Sequence, residues 1–386
     1  MPGVQATVRP LPFALPDIGA EEIARVVKVL ESGWLTTGHE ARLFETNFSR
    51  LMGGRPCLAV SSATAGFELL FHALGIGPGE EVLSSCWTFS SPVMAVWKTG
   101  ARPVLVDVEP GTLNIDVERL AAAITPRSRG IVITHFAGLP AAMTEVMALA
   151  RRHGLWVVED AAHALPATHD GKLIGTLGTA AAVFSFYPTK SITTGEGGMV
   201  VTPDERLFET MKRSRLHGID RDVFDRYSMP SGQWEYEVDG VGFKANLSDM
   251  AAAVGNAQLP KLHRFHERRR QIAGIYHERF ASADVVRVPV LKTASGVSSC
   301  HLYVIRQSRR PREDVIAGMT ARGIGTSVHF KPLHLHKFYQ RKLGVEAEPC
   351  PVATAEFATV ISLPVYSKME DADAHRAADA LLEILA

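Results

Sequence analysis

Lys190 closes the stretch Phe184-Ser185-Phe186-Tyr187-Pro188-Thr189-Lys190, and the small-residue run Thr193-Thr194-Gly195-Glu196-Gly197-Gly198 follows it. Thirty residues earlier, Asp160 ends the apolar run Trp156-Val157-Val158-Glu159-Asp160. A lysine amine condenses with an aldehyde, and a carboxylate holds the proton of a pyridine nitrogen. Pyridoxal phosphate chemistry requires that pair of a protein. Taken singly, neither residue is specific. A lysine beside glycines is usually a solvated surface charge, and an aspartate after an apolar strand often caps a helix.

Their sequence neighbours separate the readings. Ser61-Ser62-Ala63-Thr64-Ala65-Gly66 lies between the apolar run Cys57-Leu58-Ala59-Val60 and the helical pattern from Phe67 to Leu74. Small hydroxylated residues at a strand-to-helix turn present backbone N–H groups at the positive end of a helix dipole, which suits a phosphate. The same residues also make an ordinary N-cap. Trp87-Thr88-Phe89 follows the strand-like Val82 to Ser85, and either aromatic can lie on a pyridine ring or fill the core. If Lys190 serves the cofactor, its amine must be neutral to move a proton. Burial or nearby cations are then expected to lower it from its free value of about 10.4.

These positions imply a particular scaffold. Strand-like runs at 57–61, 81–85, 102–108, 130–135, 156–160, 181–186 and 198–202 alternate with helical patterns such as Met143 to His153. The alternation predicts an α/β fold, a mostly parallel seven-stranded sheet with helices on both faces and ligands at the carboxyl ends of strands. Ser62, Trp87, Phe89, Asp160 and Ser185 all fall at or just beyond such ends. A helical pattern from Asp249 to about Phe280 is interrupted at Pro260. Leu302 to Ile305 and Ile324 to Phe330 read as strands, Arg312 to Arg322 and Asp371 to Leu385 as helices. The expected division is a large domain over 1–260, including the N-terminal segment, and a smaller α+β domain over 261–386. Asp220 to Lys244, with Tyr227, Trp234 and Tyr236, reads as a long functional loop.

Composition bounds the partners. With 386 residues, 46% of them hydrophobic, the chain can bury a large core. Basic and acidic residues balance at 41 each, so no nucleic-acid footprint is expected. No uncharged apolar run of about 18 residues suggests a membrane span, and Met1 to Pro12 lacks the pattern of a secretion signal. Cys57, Cys86, Cys300 and Cys350 lack metal or redox spacing and read as buried, reduced thiols of a cytoplasmic enzyme. The cluster His329, Lys331, His334, His336 also lacks ligand spacing, so no metal is expected.

Several blocks together resemble the DegT/DnrJ/StrS family of sugar-nucleotide aminotransferases. They are Ser32-Gly33-Trp34 through Gly38, Ser62-Ala63-Thr64-Ala65-Gly66, Glu159-Asp160-Ala161-Ala162-His163-Ala164, Ser185 to Lys190, Thr194 to Gly198, and Asn246-Leu247-Ser248-Asp249. Within the family the chain is most similar to the branch that aminates C4 of a 4-keto sugar nucleotide, including UDP-4-keto-pentose (4-amino-arabinose) aminotransferases. His163, Gly195-Glu196-Gly197-Gly198 and His135 to Pro140 carry that likeness, while Tyr187-Pro188-Thr189 is nearer the general family form.

The resemblance implies an aminotransferase of fold type I and a set of roles. Lys190 and Asp160 are catalytic; Ala63, Thr64 and Ser185 bind the phosphate; His163 sits beside the ring oxygen; and Phe89, rather than Trp87, stacks on the ring. Asn246 reaches the phosphate in the neighbouring subunit of a homodimer, or on sequence alone caps the helix starting at Asp249. His329, Lys331 and Arg226 face the substrate. Glutamate is the expected donor and a nucleotide-linked keto sugar the acceptor. A 3-keto sugar nucleotide, a keto-cyclitol, or a non-catalytic cofactor-binding regulator remain as alternatives.

Overall fold

The computed structural model describes residues 9–220, 235–344 and 350–386. Its strands are β1 Cys57–Val60, β2 Glu81–Ser85, β3 Arg102–Val106, β4 Ser128–Thr134, β5 Trp156–Asp160, β6 Thr168–His169, β7 Lys172–Leu173, β8 Ala181–Ser185, β9 Gly198–Val201, β10 Gly296–Val297, β11 Tyr303–Arg306 and β12 Val360–Leu363. Seven of them form one sheet in the order β1-β9-β8-β5-β4-β2-β3. Every pairing from β8 across to β3 is parallel, and β9 runs antiparallel between β1 and β8. The crossovers carry helices such as Ala63–Ala73, Ser90–Lys98 and Met143–His153. The short β10, β6 and β7 make a separate small sheet, and β11 pairs with β12.

Alternation along the strands shows how both faces are covered. On β8, Ala181 and Val183 pack with Phe67, Phe71 and Met211, while Ala182 and Phe184 pack with Phe44, Phe48 and Phe265 on the other side. Successive strand side chains point to opposite faces, so one strand serves two cores. The same alternation separates Glu159 from Asp160. Glu159 is fully buried among neutral groups, where it accepts from Thr179 Oγ1 at 2.6 Å and pairs with His135 Nε2 at 3.1 Å. Ala141 N–H donates to His135 Nδ1, which places the ring proton on Nε2, toward Glu159. This network ties the residue just past the end of β4 to the penultimate residue of β5, next to Thr134 and Asp160.

Beyond the sheet, the helices Asp249–Gln258 and Leu262–Phe280 are joined by a 3₁₀ turn over Leu259–Lys261, so Pro260 interrupts the helical pattern as expected. Tyr276, Tyr303, Val315, Met319, Ile361, Leu363 and Leu381 form a C-terminal core, and Leu11 packs into it from the N-terminal segment. The expected strand from Ile324 to Phe330 is not regular. Ile324 bridges Leu11 and Ser327 bridges Ser362, so the segment passes between two partners without running a ladder along either.

Gly198 sets how closely β9 approaches the start of the helix Ala63–Ala73. A Cβ at this position would lie 2.7 Å from Ala63 N, 2.8 Å from Ser62 C and 2.9 Å from Phe184 O, all backbone atoms that cannot swing aside. Gly198→Ala is therefore expected to cost about 1–3 kcal/mol of stability through overpacking and to weaken cofactor retention. Thermal unfolding and a cofactor titration check this; an unchanged midpoint together with unchanged affinity would refute it.

Candidate active site

Ser62 caps the helix Ala63–Ala73, its Oγ accepting from Ala65 N–H at 3.1 Å, while Gly66 N–H reaches Ser62 O. Helix geometry leaves the first N–H groups without internal acceptors, and those of Ala63 and Thr64 find none among the described residues. With the missing side chain at Gly198, this makes an N–H-lined cradle where the helix dipole favours an anion. Ser185 ends β8, the strand next to β9. The turn that follows brings back Lys190, whose N–H donates to Tyr187 O at 2.9 Å.

Lys190 and Asp160 share one electrostatic neighbourhood. Burial pushes the lysine down to about 8; Asp160 opposes the shift and Arg269 adds to it. Burial likewise raises the Asp160 carboxyl above its usual range, against a bond from Ala162 N–H at 3.2 Å, the Lys190 charge and a long contact from Thr134 Oγ1. A buried carboxylate so sparsely solvated is stabilised by a cationic N–H placed against it. His163 is buried with its Nδ1 unpartnered, and burial holds its imidazole well below the ordinary range.

The structure divides the two aromatics plainly. Trp87 is fully buried, its Nε1–H donating to His329 O at 3.2 Å, whereas Phe89 is 57% exposed and its ring lies 6.0 Å from that of Phe330. Phe89 is thus the one with a face free for a ligand. His329 is held by Ser362 Oγ at 2.9 Å, and burial and Lys190 lower its ring to about 4. Lys331 is exposed two residues further on. Asn246 is not the cap considered above, because Ser248 Oγ caps the helix by accepting from Ala251 N–H. Asn246 instead bridges Val60 at the end of β1, donates to Thr37 Oγ1 and accepts from Lys244 Nζ, both at 2.7 Å. Arg226 and Tyr227 lie outside the described residues.

Three neighbours had no distinguishing sequence signal. His301 packs its ring 4.4 Å from that of His163. Phe330 stacks on the same imidazole at 5.7 Å. Arg269 is buried in the helix Leu262–Phe280, where a run of charges reads as a solvated face. Its guanidinium donates to His301 O and Val365 O at 3.2 and 2.6 Å and reaches the Thr189 and Lys190 carbonyls at 3.4 and 3.5 Å, with no carboxylate partner among the described residues.

The profile of the DegT/DnrJ/EryC1/StrS aminotransferase family matches residues 16–382. The chain belongs to this family. It is 41% identical over 380 residues to the spore coat polysaccharide biosynthesis protein SpsC of Bacillus subtilis, covering 97% of each. The PLP-form of Spr1654 from Streptococcus pneumoniae superposes with a TM-score of 0.90 at 28% identity, over 97% of this chain and 98% of that one. The sugar aminotransferase CalS13 of Micromonospora echinospora gives 0.87 at 28%, over 97% and 99%. The protein is accordingly a pyridoxal phosphate-dependent sugar aminotransferase with the fold of those enzymes. The residues present suit that cofactor: an N–H cradle for a phosphate, a buried carboxylate short of donors, an unpartnered imidazole nitrogen and a lysine of lowered basicity.

The lysine shift carries a signed consequence. Its folded value lies below its ordinary 10.5, so its contribution to stability is least favourable below pH 8 and improves as pH rises toward 10.5. The cofactor-free protein should capture pyridoxal phosphate at a rate rising through about pH 8. Arg269→Gln should move that midpoint up and Asp160→Asn should move it down; stopped-flow absorbance across pH measures all three. A midpoint unmoved by either substitution would remove both residues from control of the lysine.

Proposed function

We propose that the protein transfers an amino group from glutamate to C4 of a nucleotide-linked keto sugar, acting as a homodimer with shared active sites. The observation that carries the reading is the meeting of Lys190 and Asp160 at strand ends beside the N–H cradle of Ala63 and Thr64, in a sugar aminotransferase. The kinship with SpsC, named for polysaccharide biosynthesis, favours an acceptor on a glycan-building route. C4 rests on the likeness of His163 and the Gly195-to-Gly198 run to that branch.

Pyridoxal phosphate, when bound, supplies an electron sink at the carbon bearing the amino group. Ala63, Thr64 and Ser185 would hold its phosphate, Phe89 would pack against its ring and His163 would serve the ring oxygen. Asp160 keeps a proton on the pyridine nitrogen. Lys190, about half neutral near pH 8, takes the proton from the donor's α-carbon and returns one to the sugar carbon in the second half of the cycle. Positioned proton transfer of this kind is worth roughly 10²–10⁴-fold. His329 and Lys331 would serve the acceptor, where a cationic side chain and backbone donors suffice for a diphosphate; Arg226, the third candidate, lies outside the described residues.

Lys190→Ala should abolish turnover with every donor, and borohydride reduction followed by peptide mapping should label Lys190 alone in the native enzyme. A panel of 3-keto and 4-keto sugar nucleotides and free keto-cyclitols, assayed for glutamate-dependent amination, tests the acceptor. Amination of only a 3-keto sugar or a cyclitol would overturn the C4 nucleotide-sugar reading.

The shared site has its own test. When Lys190→Ala and Asn246→Ala proteins are mixed and allowed to exchange subunits, one intact site should form per heterodimer and activity should reappear. No recovery despite demonstrated exchange would place Asn246 outside the partner's site.

A further inference from the structure

Away from the cofactor pocket, three side chains from distant parts of the chain converge just past β2. Cys86 follows β2 directly, His334 lies in the short turn Leu333–Leu335, and Cys350 precedes the helix Pro351–Phe357. The two sulfurs and a ring nitrogen lie within 4.8 Å of one another. Both cysteines are buried and neither is in a disulfide.

The hydrogen bonds fix which ring nitrogen is available. Thr354 Oγ1 lies 3.0 Å from Cys350 O and 2.8 Å from His334 Nε2, so that ring nitrogen is already engaged in a hydrogen bond. The other ring nitrogen, Nδ1, is buried with no hydrogen-bond partner among the described residues. A histidine with one ring nitrogen anchored and a ring nitrogen close to two sulfurs is arranged as metal-bound histidines are. Asp107 is adjacent, 3.9 Å from Cys86 Sγ, but its carboxylate already accepts from Val108, Val352 and Ala353 N–H, each at 2.9 Å. A cavity lined by His334, Tyr339, Leu343, Cys350 and Thr354 gives access from outside.

We propose that Cys86, His334 and Cys350 bind one zinc ion, or another thiophilic divalent cation, with solvent as the fourth ligand. Two thiolates and a neutral imidazole balance the charge of such an ion, beside an Asp107 carboxylate that backbone N–H groups already hold. The ion ties the segment that carries His329 and Lys331 to the strand end that carries Phe89, where Leu333 N–H already donates to Cys86 O at 2.8 Å. Its role is to hold two walls of the substrate pocket together. The ligands are separated by 248 and 16 residues in the chain, so no spacing motif marks them.

The test uses the cofactor-loaded enzyme, purified under reducing conditions, incubated with zinc sulfate and desalted. Elemental analysis should find about one zinc per chain, and cobalt in its place should give a thiolate-to-metal charge-transfer band. His334→Ala and Cys350→Ser should each lose the metal and the band while the bound cofactor's absorbance shows that the fold survives. Chelation should lower the unfolding temperature of the native enzyme and leave that of either variant unmoved. A native enzyme that retains no zinc or cobalt after desalting would overturn the proposal, as would a Cys86–Cys350 disulfide in the protein purified without reductant, or metal retained by both variants.

Discussion

A lysine amine and an aspartate carboxylate are buried together, and each is disfavoured in its charged form by the same loss of water. Burial alone would drive both toward neutrality. Asp160 and Lys190 partly restrain one another: the carboxylate supports the ammonium, while the cation draws the carboxyl down. The outcome is an amine poised to exchange protons near neutral pH and a carboxylate short of positive partners. Arg269 sharpens the balance from behind the lysine. It binds carbonyls rather than a carboxylate, so its charge is not cancelled locally and acts on Lys190.

The fold serves that pair by fixing where strands stop. In a parallel sheet the carboxyl ends fall along one edge, so Asp160 on β5, Ser185 on β8 and the turn after β2 face a common space without any long excursion of the chain. The antiparallel β9 is the exception with a purpose. Its first residue, Gly198, pairs with both Val60 and Ser185, and only a glycine lets it lie against the Ser62–Ala63 turn. Behind the edge, Glu159 and His135 lock β4 and β5 in register from the opposite face.

Much of this was legible because local chemistry and position agreed. Asp160 and Ser185 read as strand ends, and Met143–His153 and Asp371–Leu385 form helices over the stretches that their periodicity predicts. What stayed hidden depends on long-range packing. Arg269 sits in a run of charges typical of a solvated face, and only the tertiary fold turns that one position inward. Ile324 to Phe330 has the apolar pattern of a strand but meets two short partners in place of one long one. Ser248 rather than Asn246 caps its helix, a difference of two residues that propensity cannot resolve, since both types cap well.

The three imidazoles around the lysine bear on how a sugar is received. His163, His301 and His329 are all shifted down by burial first, and the Lys190 charge lowers each further. They are therefore neutral at physiological pH, each with one N–H and one lone pair, and His329 already engages Ser362 Oγ through one nitrogen. Charged groups in those places would have pressed the lysine amine lower still, or pinned a carboxylate needed elsewhere. Neutral rings can bind hydroxyl groups, which both donate and accept, while leaving the balance between Lys190 and Asp160 undisturbed.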